Sequence, residues 1–147
     1  MVQKAAKEQA PLPKIKPIVP YLHLPEKSGE KAYLSGSKCP KCGTLYIGPR
    51  MACGKCYFTG DLPEVHLSDE GTLYTWTIVH QSQPDVQVPF IAAIVDLKDG
   101  VSVPTNIVGL EPDPKKIKFG MPVKMVTEKA YTNKEGQDVI RYAFRPT

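Results

Sequence analysis

Residues 38–56 read "KCPKCGTLYIGPRMACGKC" and hold every cysteine of the chain. The cysteines form two Cys-x-x-Cys pairs with ten residues between them. Each pair can wrap two sulfurs around one metal ion, and a glycine in each pair's vicinity permits the tight turn that this requires. Two pairs supply four thiolates, a closed tetrahedral shell that suits Zn²⁺. The spacing therefore predicts a zinc ribbon bound through Cys39, Cys42, Cys53 and Cys56.

Two other uses of the four thiols are open at this point. Four thiolates also suit a single iron, as in rubredoxin-type sites. A redox dithiol would need one exposed cysteine of low pKa, and a second matched pair would then be redundant. Because a closed shell of four sulfurs leaves no position for water or substrate, we predict a structural metal. A segment this short cannot bury enough apolar surface to fold alone, and metal binding can supply about 10 kcal/mol.

The chain before the cysteines predicts an arm followed by the ribbon. Residues 1–25 contain five prolines, which remove backbone donors and exclude a regular helix. We predict an extended arm over 1–25, docked from about Ile18 onward, which is either a strap across a partner subunit or a disordered tail. The ribbon is predicted over 26–62, with Tyr33 and Leu34 packed on the cysteine module.

The chain after the cysteines has the pattern of a small β-barrel. Alternating β-branched and aromatic residues predict strands at 72–80, 90–97, 101–109, 123–131 and 138–145. In the first strand Tyr74, Trp76 and Ile78 are predicted to share one face, and the second strand is apolar enough for both faces to be covered. Five short strands cannot bury both faces of a flat sheet, so we predict closure into an OB-like Greek-key barrel over 63–147, with another five- or six-stranded barrel as the competitor.

Charge is distributed unevenly along the 147 residues. The formal net charge is +4, made of a basic segment 1–60, an acidic segment 61–114 and a basic segment 115–147. A general nucleic-acid binder has a more uniform basic surface, and residues 90–109 offer only Phe90 and Lys98 for that role. Nucleic-acid binding by a zinc-ribbon/OB module stays the alternative. No apolar run approaches about 20 residues, and the N-terminus lacks an apolar signal core, so we expect a cytoplasmic protein and no membrane partner.

Residues for catalysis are missing from the pattern. With four cysteines committed to metal, no cysteine nucleophile remains. His23, His66 and His80 lie in no recognisable metal or catalytic motif, and the chain has no phosphate-binding glycine loop or dinucleotide fingerprint. We predict that the chain is not an enzyme by itself.

Four segments in order carry a family resemblance: "GSKCPKCGTLYIGPRMACGKC", "GTLYTWTIVH", "VPFIAAIVDLKDG" and "FGMPVKM". Over about residues 20–145 the chain resembles the thiolase-associated zinc-ribbon/OB-fold family of acyl-CoA-associated proteins. It departs from the family pattern at Pro49 and Arg50, where proline is shifted from near Gly48, and in its arm, which replaces a helical leader. The resemblance implies a rubredoxin-like zinc ribbon before an OB barrel, in a non-catalytic subunit paired with a thiolase, a thiolase-like synthase or an acyl-CoA hydratase.

The resemblance also implies a reaction for the partner. Within the family, the chain is most similar to members that serve anaerobic toluene degradation. This implies that the partner cleaves a β-keto acyl-CoA, with benzoylsuccinyl-CoA as the candidate substrate. Such cleavage needs a cysteine nucleophile and an acid/base group, and both would come from the large subunit. CoA carries negative phosphates, so the basic loop residues best suited to contact it are Arg50, Lys115, Lys116 and Lys118. The competing interpretation of these residues is a set of solvated surface charges.

Overall fold

The computed structural model describes residues 14–25 and 29–147, and all regular structure in that part of the chain is β. Residues 1–13 of the predicted arm lie outside the described residues. The strands are β1 (Ile15–Pro17), β2 (Leu22–His23), β3 (Tyr33–Lys38), β4 (Leu45–Ile47), β5 (Glu64–His66), β6 (Glu70–Val79), β7 (Phe90–Leu97), β8 (Ser102–Ile107), β9 (Pro122–Thr132) and β10 (Asp138–Pro146).

Strands β6 to β10 form the closed five-stranded barrel, which confirms the predicted OB-like fold. Their order is β10-β8-β7-β6-β9, and pairing between β9 and β10 closes the ring. All these pairs are antiparallel except β10 with β8, which meet in parallel at Phe144 and Ile107. Closure gives every strand of the ring a neighbour on both sides, which is how so few strands cover their inner face.

The barrel core is made by alternate residues of each strand. Phe144 and Val95 are fully buried, and Leu73 and Val123 are each 1% exposed. In β7 every second residue is buried, and Ile94, which points out of the barrel, is 37% exposed. The expectation that both faces of β7 are covered is therefore wrong for the described residues, since none of them forms a layer that buries Ile94.

A β-bulge in β6 changes which side chains face the core. Leu73 pairs with Val95 and Thr75 pairs with Ile94, so Tyr74 is an extra residue on the β6 side. Tyr74 is 63% exposed, whereas Trp76 packs against the core. The prediction that Tyr74 shares a face with Trp76 is wrong, since a bulge shifts the alternation by one residue.

A second small sheet contains the ribbon strands. β3 pairs with β2 and β4 along one edge and with β5 along the other. Leu34 in β3 is buried in the same apolar cluster as the barrel core, not in the cluster of Cys39 and Cys53. Leu45 and Ile47, which lie between the two cysteine pairs, pack against that same cluster, so the packing of Leu34 on the cysteine module stays a prediction. The division of the chain at residues 62 and 63 stays a prediction.

The end of the arm that the structure describes lies on the barrel of its own chain. β1 pairs in parallel with the start of β10, from Ile15 opposite Asp138 to Pro17 opposite Ile140. The amide of Ile18 then donates to the carbonyl of Ile140 at 2.8 Å. β8 reaches this edge of β10 only near Phe144, so β1 covers the part of the edge that β8 leaves open.

Candidate functional site

The two cysteine pairs are held by the same backbone hydrogen bonds. In the first knuckle the amide of Gly43 donates to the carbonyl of Cys39 at 2.9 Å, and in the second the amide of Tyr57 donates to the carbonyl of Cys53 at 3.1 Å. The first cysteine of each pair donates its own amide across its hairpin at 2.9 Å, to Thr44 and to Phe58. The repeated bonds make the two knuckles structurally equivalent, and each knuckle contributes two sulfurs to one cluster.

The four sulfurs lie close enough to share one ion. All four Sγ atoms lie within 4.8 Å of one another. Cys39 Sγ is 3.5 Å from Cys56 Sγ, and Cys42 Sγ is 3.5 Å from Cys53 Sγ. These separations exceed the S–S bond of about 2.05 Å in a disulfide, and they are near the roughly 3.8 Å that tetrahedral bonds of about 2.3 Å would give. The donor set therefore fits a thiolate-bound metal ion.

Tyr46 and Arg50 form a layer around the second knuckle. The Tyr46 hydroxyl lies 3.3 Å from Cys53 Sγ and accepts a hydrogen bond from the amide of Gly54 at 2.9 Å. The guanidinium carbon of Arg50 lies 4.0 Å above the Tyr46 ring, and its Nε donates to the carbonyl of Ala52 at 3.2 Å. This contact is a cation–π interaction. The sequence pattern did not indicate Tyr46, although an aromatic residue in the spacer between the pairs was a visible signal.

The same contacts shift the acidity of the thiols. The Tyr46 hydroxyl and the amides of the knuckle lower the pKa of Cys53 to about 5. The Thr44 hydroxyl lowers the pKa of Cys42. For Cys56 the amide of Phe58 acts downward, but burial and the neighbouring sulfurs outweigh it and raise the pKa to about 11. A bound cation favours the thiolate form of all its ligands.

The residues proposed for CoA lie on two different elements. Arg50 belongs to the ribbon, at the second knuckle. Lys115, Lys116 and Lys118 are exposed in the loop between β8 and β9. Lys116 forms an ion pair with Glu111, and this hydrogen bond raises the pKa of Lys116. CoA contact by these residues stays a prediction.

Phe119 is a feature of the same loop that the sequence did not single out. It directly follows Lys118, its side chain is 71% exposed, and its ring lies 6.2 Å from that of Trp76. An exposed ring beside lysines offers a stacking surface next to positive charge.

Two of the three histidines form a stack in the second sheet. Tyr33 lies between His23 and His66, with ring centroids 4.6 Å and 3.8 Å away. Within residues 14–25 and 29–147 the cysteines are the only group of three or more histidine, cysteine or acidic side chains placed to hold a metal. That same part of the chain contains no helix that is both long and apolar enough to span a membrane.

Comparisons with known proteins find relatives that agree with one another on the family. The profile of the family described as "ChsH2, C-terminal OB-fold domain" matches residues 64–128. A DUF35 domain-containing scaffold protein of Methanothermobacter thermautotrophicus is 32% identical over 126 residues, which cover 84% of this chain and 89% of the relative. The benzoylsuccinyl-CoA thiolase subunit BbsA of Thauera aromatica is 26% identical over 138 residues, covering 90% of this chain and 92% of the relative.

Among solved structures, the Ltp2-ChsH2(DUF35) aldolase has a TM-score of 0.64 and 30% identity, and the match covers 78% of this chain and 84% of that chain. The predicted family resemblance is thus confirmed by sequence and by structure. The chain belongs to the DUF35 family of OB-fold proteins.

Proposed function

We propose that this chain is the non-catalytic subunit of a thiolase-type enzyme that acts on a β-keto acyl-CoA, with benzoylsuccinyl-CoA as the candidate substrate. One observation carries the proposal: all four cysteines converge into one metal-binding set, so none is left as a nucleophile. The relatives support the same role, because one is named as a thiolase subunit and another as part of an aldolase.

The metal in this proposal is Zn²⁺, held by Cys39, Cys42, Cys53 and Cys56. When bound, it supplies a cross-link between the two knuckles and free energy for their folding. Tyr46 then orients Cys53 through its hydroxyl, as outer hydrogen bonds do at other metal sites. The reacting groups, a cysteine nucleophile and an acid/base residue, come from the partner subunit.

The contribution of this chain is to brace the partner and to hold the nucleotide end of CoA. Lys115 and Lys118 are exposed, and among the described residues neither forms a side-chain ion pair. Phosphate groups are attracted to such lysines, and the Phe119 ring next to them suits an adenine base. Lys116 is partly engaged by Glu111, and Arg50 would act from the ribbon.

The test first asks whether a reading frame beside that of this chain encodes a thiolase-type protein with its own cysteine nucleophile, and then produces that protein with an affinity tag. We expect the two proteins to co-purify, the isolated chain to show no thiolysis of acyl-CoA, and the complex to be active. Elemental analysis of the isolated chain should find one zinc per chain. Turnover by the isolated chain, or failure of the two proteins to associate, would contradict the proposal. A red chain that contains iron would show that the bound metal is iron and not zinc.

The second candidate function is nucleic-acid binding. The exposed bases of the ribbon favour it, but Lys98 on the barrel is neutralised by an ion pair with Glu70. Binding through phosphates weakens steeply with added salt. A gel-shift with single- and double-stranded probes at low salt should show no complex if the thiolase proposal is correct.

A further inference from the structure

The hairpin of the second knuckle, residues 51–60, presents two large apolar side chains to solvent. Met51 is 87% exposed and Tyr57 is 84% exposed, the two highest values among the large apolar side chains of the described residues. The Tyr57 side chain makes no hydrogen bond or ring contact with any described residue. Single exposed apolar residues are ordinary, but here two belong to one hairpin, with Met51 opposite Gly60 at its open end and Tyr57 at its turn.

The backbone at Tyr57 shows that the fold does not require this side chain. Gly43 in the first knuckle has a φ of 77°, and the equivalent Tyr57 has a φ of 62°. Left-handed backbone disfavours residues with a Cβ atom, and Tyr57 is the only non-glycine residue with positive φ in the described part of the chain. In the first knuckle, Gly43 donates the equivalent amide hydrogen bond, and a glycine adopts this backbone conformation without strain. An observed strained residue of this kind points to a role outside folding.

The charge of the ribbon segment that carries the two side chains indicates what they contact. Residues 38–60 contain no acidic residue. Their four bases are all exposed, and none has an acidic partner among the described residues; they are Lys38, Lys41, Arg50 and Lys55. Unpaired positive charge bordering an apolar surface is complementary to an apolar recess bordered by carboxylates.

We propose that the knuckle tip, meaning Met51 and Tyr57 with Arg50 and Lys55 beside them in the chain, docks into an acidic-bordered apolar recess on the catalytic subunit. The inference rests on the proposed function, because it takes the thiolase-type partner as the occupant. Tyrosine is enriched among residues that dominate binding energy, and the hydrogen-bonded knuckle presents Tyr57 on a fixed backbone, which reduces the entropy lost on binding. The four bases steer the encounter.

The experiment measures affinity for the tagged partner by calorimetry, with zinc content and melting temperature recorded for each variant. Tyr57→Gly and Met51→Ser are each expected to weaken binding about tenfold or more. Tyr57→Gly should keep the zinc content and a melting temperature at least equal to that of the wild type, because glycine relieves the positive φ. Lys55→Glu should slow association and reduce its dependence on salt.

The matched control is Tyr131→Ser, which removes a 55% exposed tyrosine from β9 of the barrel and should change affinity less than twofold. Wild-type-like binding by Tyr57→Gly and Met51→Ser would overturn the inference and leave the proposed function intact. Absence of binding by the wild type would overturn both. Self-association or nucleic-acid binding that is lost in Tyr57→Gly, with partner binding unchanged, would assign the tip to a different occupant and overturn the inference.

Discussion

At the scale of single residues, Tyr46 connects the sulfur cluster to the hairpin that carries it. Its oxygen accepts from the amide of Gly54, so the phenolic hydrogen is left to point at Cys53 Sγ. We expect Tyr46→Phe to reduce zinc affinity about 10- to 100-fold, the usual effect of losing an outer hydrogen bond at a metal site. Competition with a chromophoric chelator measures this change.

The control for that substitution is Tyr33→Phe, which removes the hydroxyl of another partly buried ribbon tyrosine that makes no side-chain hydrogen bond in the described chain. Its zinc affinity should equal that of the wild type. With Co²⁺ in place of zinc, Tyr46→Phe should also shift the sulfur-to-metal absorption bands. Unchanged affinity and unchanged bands in Tyr46→Phe would show that the hydroxyl does not act on the sulfur.

Tyr142 gives a pH dependence that belongs to the barrel alone. Its hydroxyl donates to the carbonyl of Pro104 at 2.8 Å, the residue is 9% exposed, and burial followed by the Tyr21 hydroxyl raises its pKa. The folded state therefore keeps the phenol neutral while the unfolded state ionises near pH 10. The stabilisation is complete below about pH 10 and decreases above it, by up to about 1.4 kcal/mol per pH unit.

Tyr142→Phe should cost about 1 kcal/mol at pH 7 through the lost hydrogen bond. Above pH 10 the variant should lose stability less steeply than the wild type, because it has no buried phenol to ionise. Urea unfolding at pH 7, 9, 10.5 and 11 measures both effects, and the titrating groups that do not contact Tyr142 cancel in the difference. Equal alkaline slopes for the two proteins would disprove the assignment.

At the scale of elements, the strands that could be predicted are those with the strongest local pattern. The five barrel strands carry β-branched and aromatic alternation, and closure followed from their number. β3 reads Tyr-Leu-Ser-Gly-Ser-Lys and has no such pattern, yet Ser35 and Ser37 are 3% and 2% exposed. Its conformation depends on pairing with three other strands and on the hydrogen bond from Ser37 Oγ to the carbonyl of Gly48 at 2.7 Å. Such long-range pairing is not visible in a short segment of sequence.

Gly71 shows the same dependence on neighbours inside β6. The strand pairs there with both β7 and β9, and a Cβ at Gly71 would overlap the carbonyl oxygen of Asp96 and lie 2.9 Å from Val95 Cγ1. We expect Gly71→Ala to destabilise the protein by about 2 kcal/mol or more, because backbone must move to admit the methyl group. The exposed neighbour Thr72→Ala is the control, with a change of under about 1 kcal/mol. Denaturant unfolding separates the two, and equal effects would contradict the steric argument.

At the scale of the whole molecule, the ribbon sheet and the barrel share one apolar cluster while the sulfurs have their own. Leu22, Leu34 and Leu67 pack with the barrel core, whereas Leu62 and Phe58 pack around Cys39 and Cys53. The first contacts keep β3 on the barrel whether or not the metal is bound. The second cluster is too small to stay folded alone, and metal binding worth about 10 kcal/mol is of the size needed to hold it.

This division predicts what loss of the metal does. Cys39→Ser, or treatment of the wild type with a strong chelator, should abolish amide protection in the two knuckles, residues 39–44 and 51–60, and leave protection in β6 to β10, because the barrel core contains none of the four sulfurs. Hydrogen exchange read by mass spectrometry measures both regions in one sample. Added zinc should restore the chelated wild type but not Cys39→Ser. Loss of protection throughout the barrel would mean that the metal holds the entire fold, and unchanged protection in the two knuckles would mean that it holds none of it.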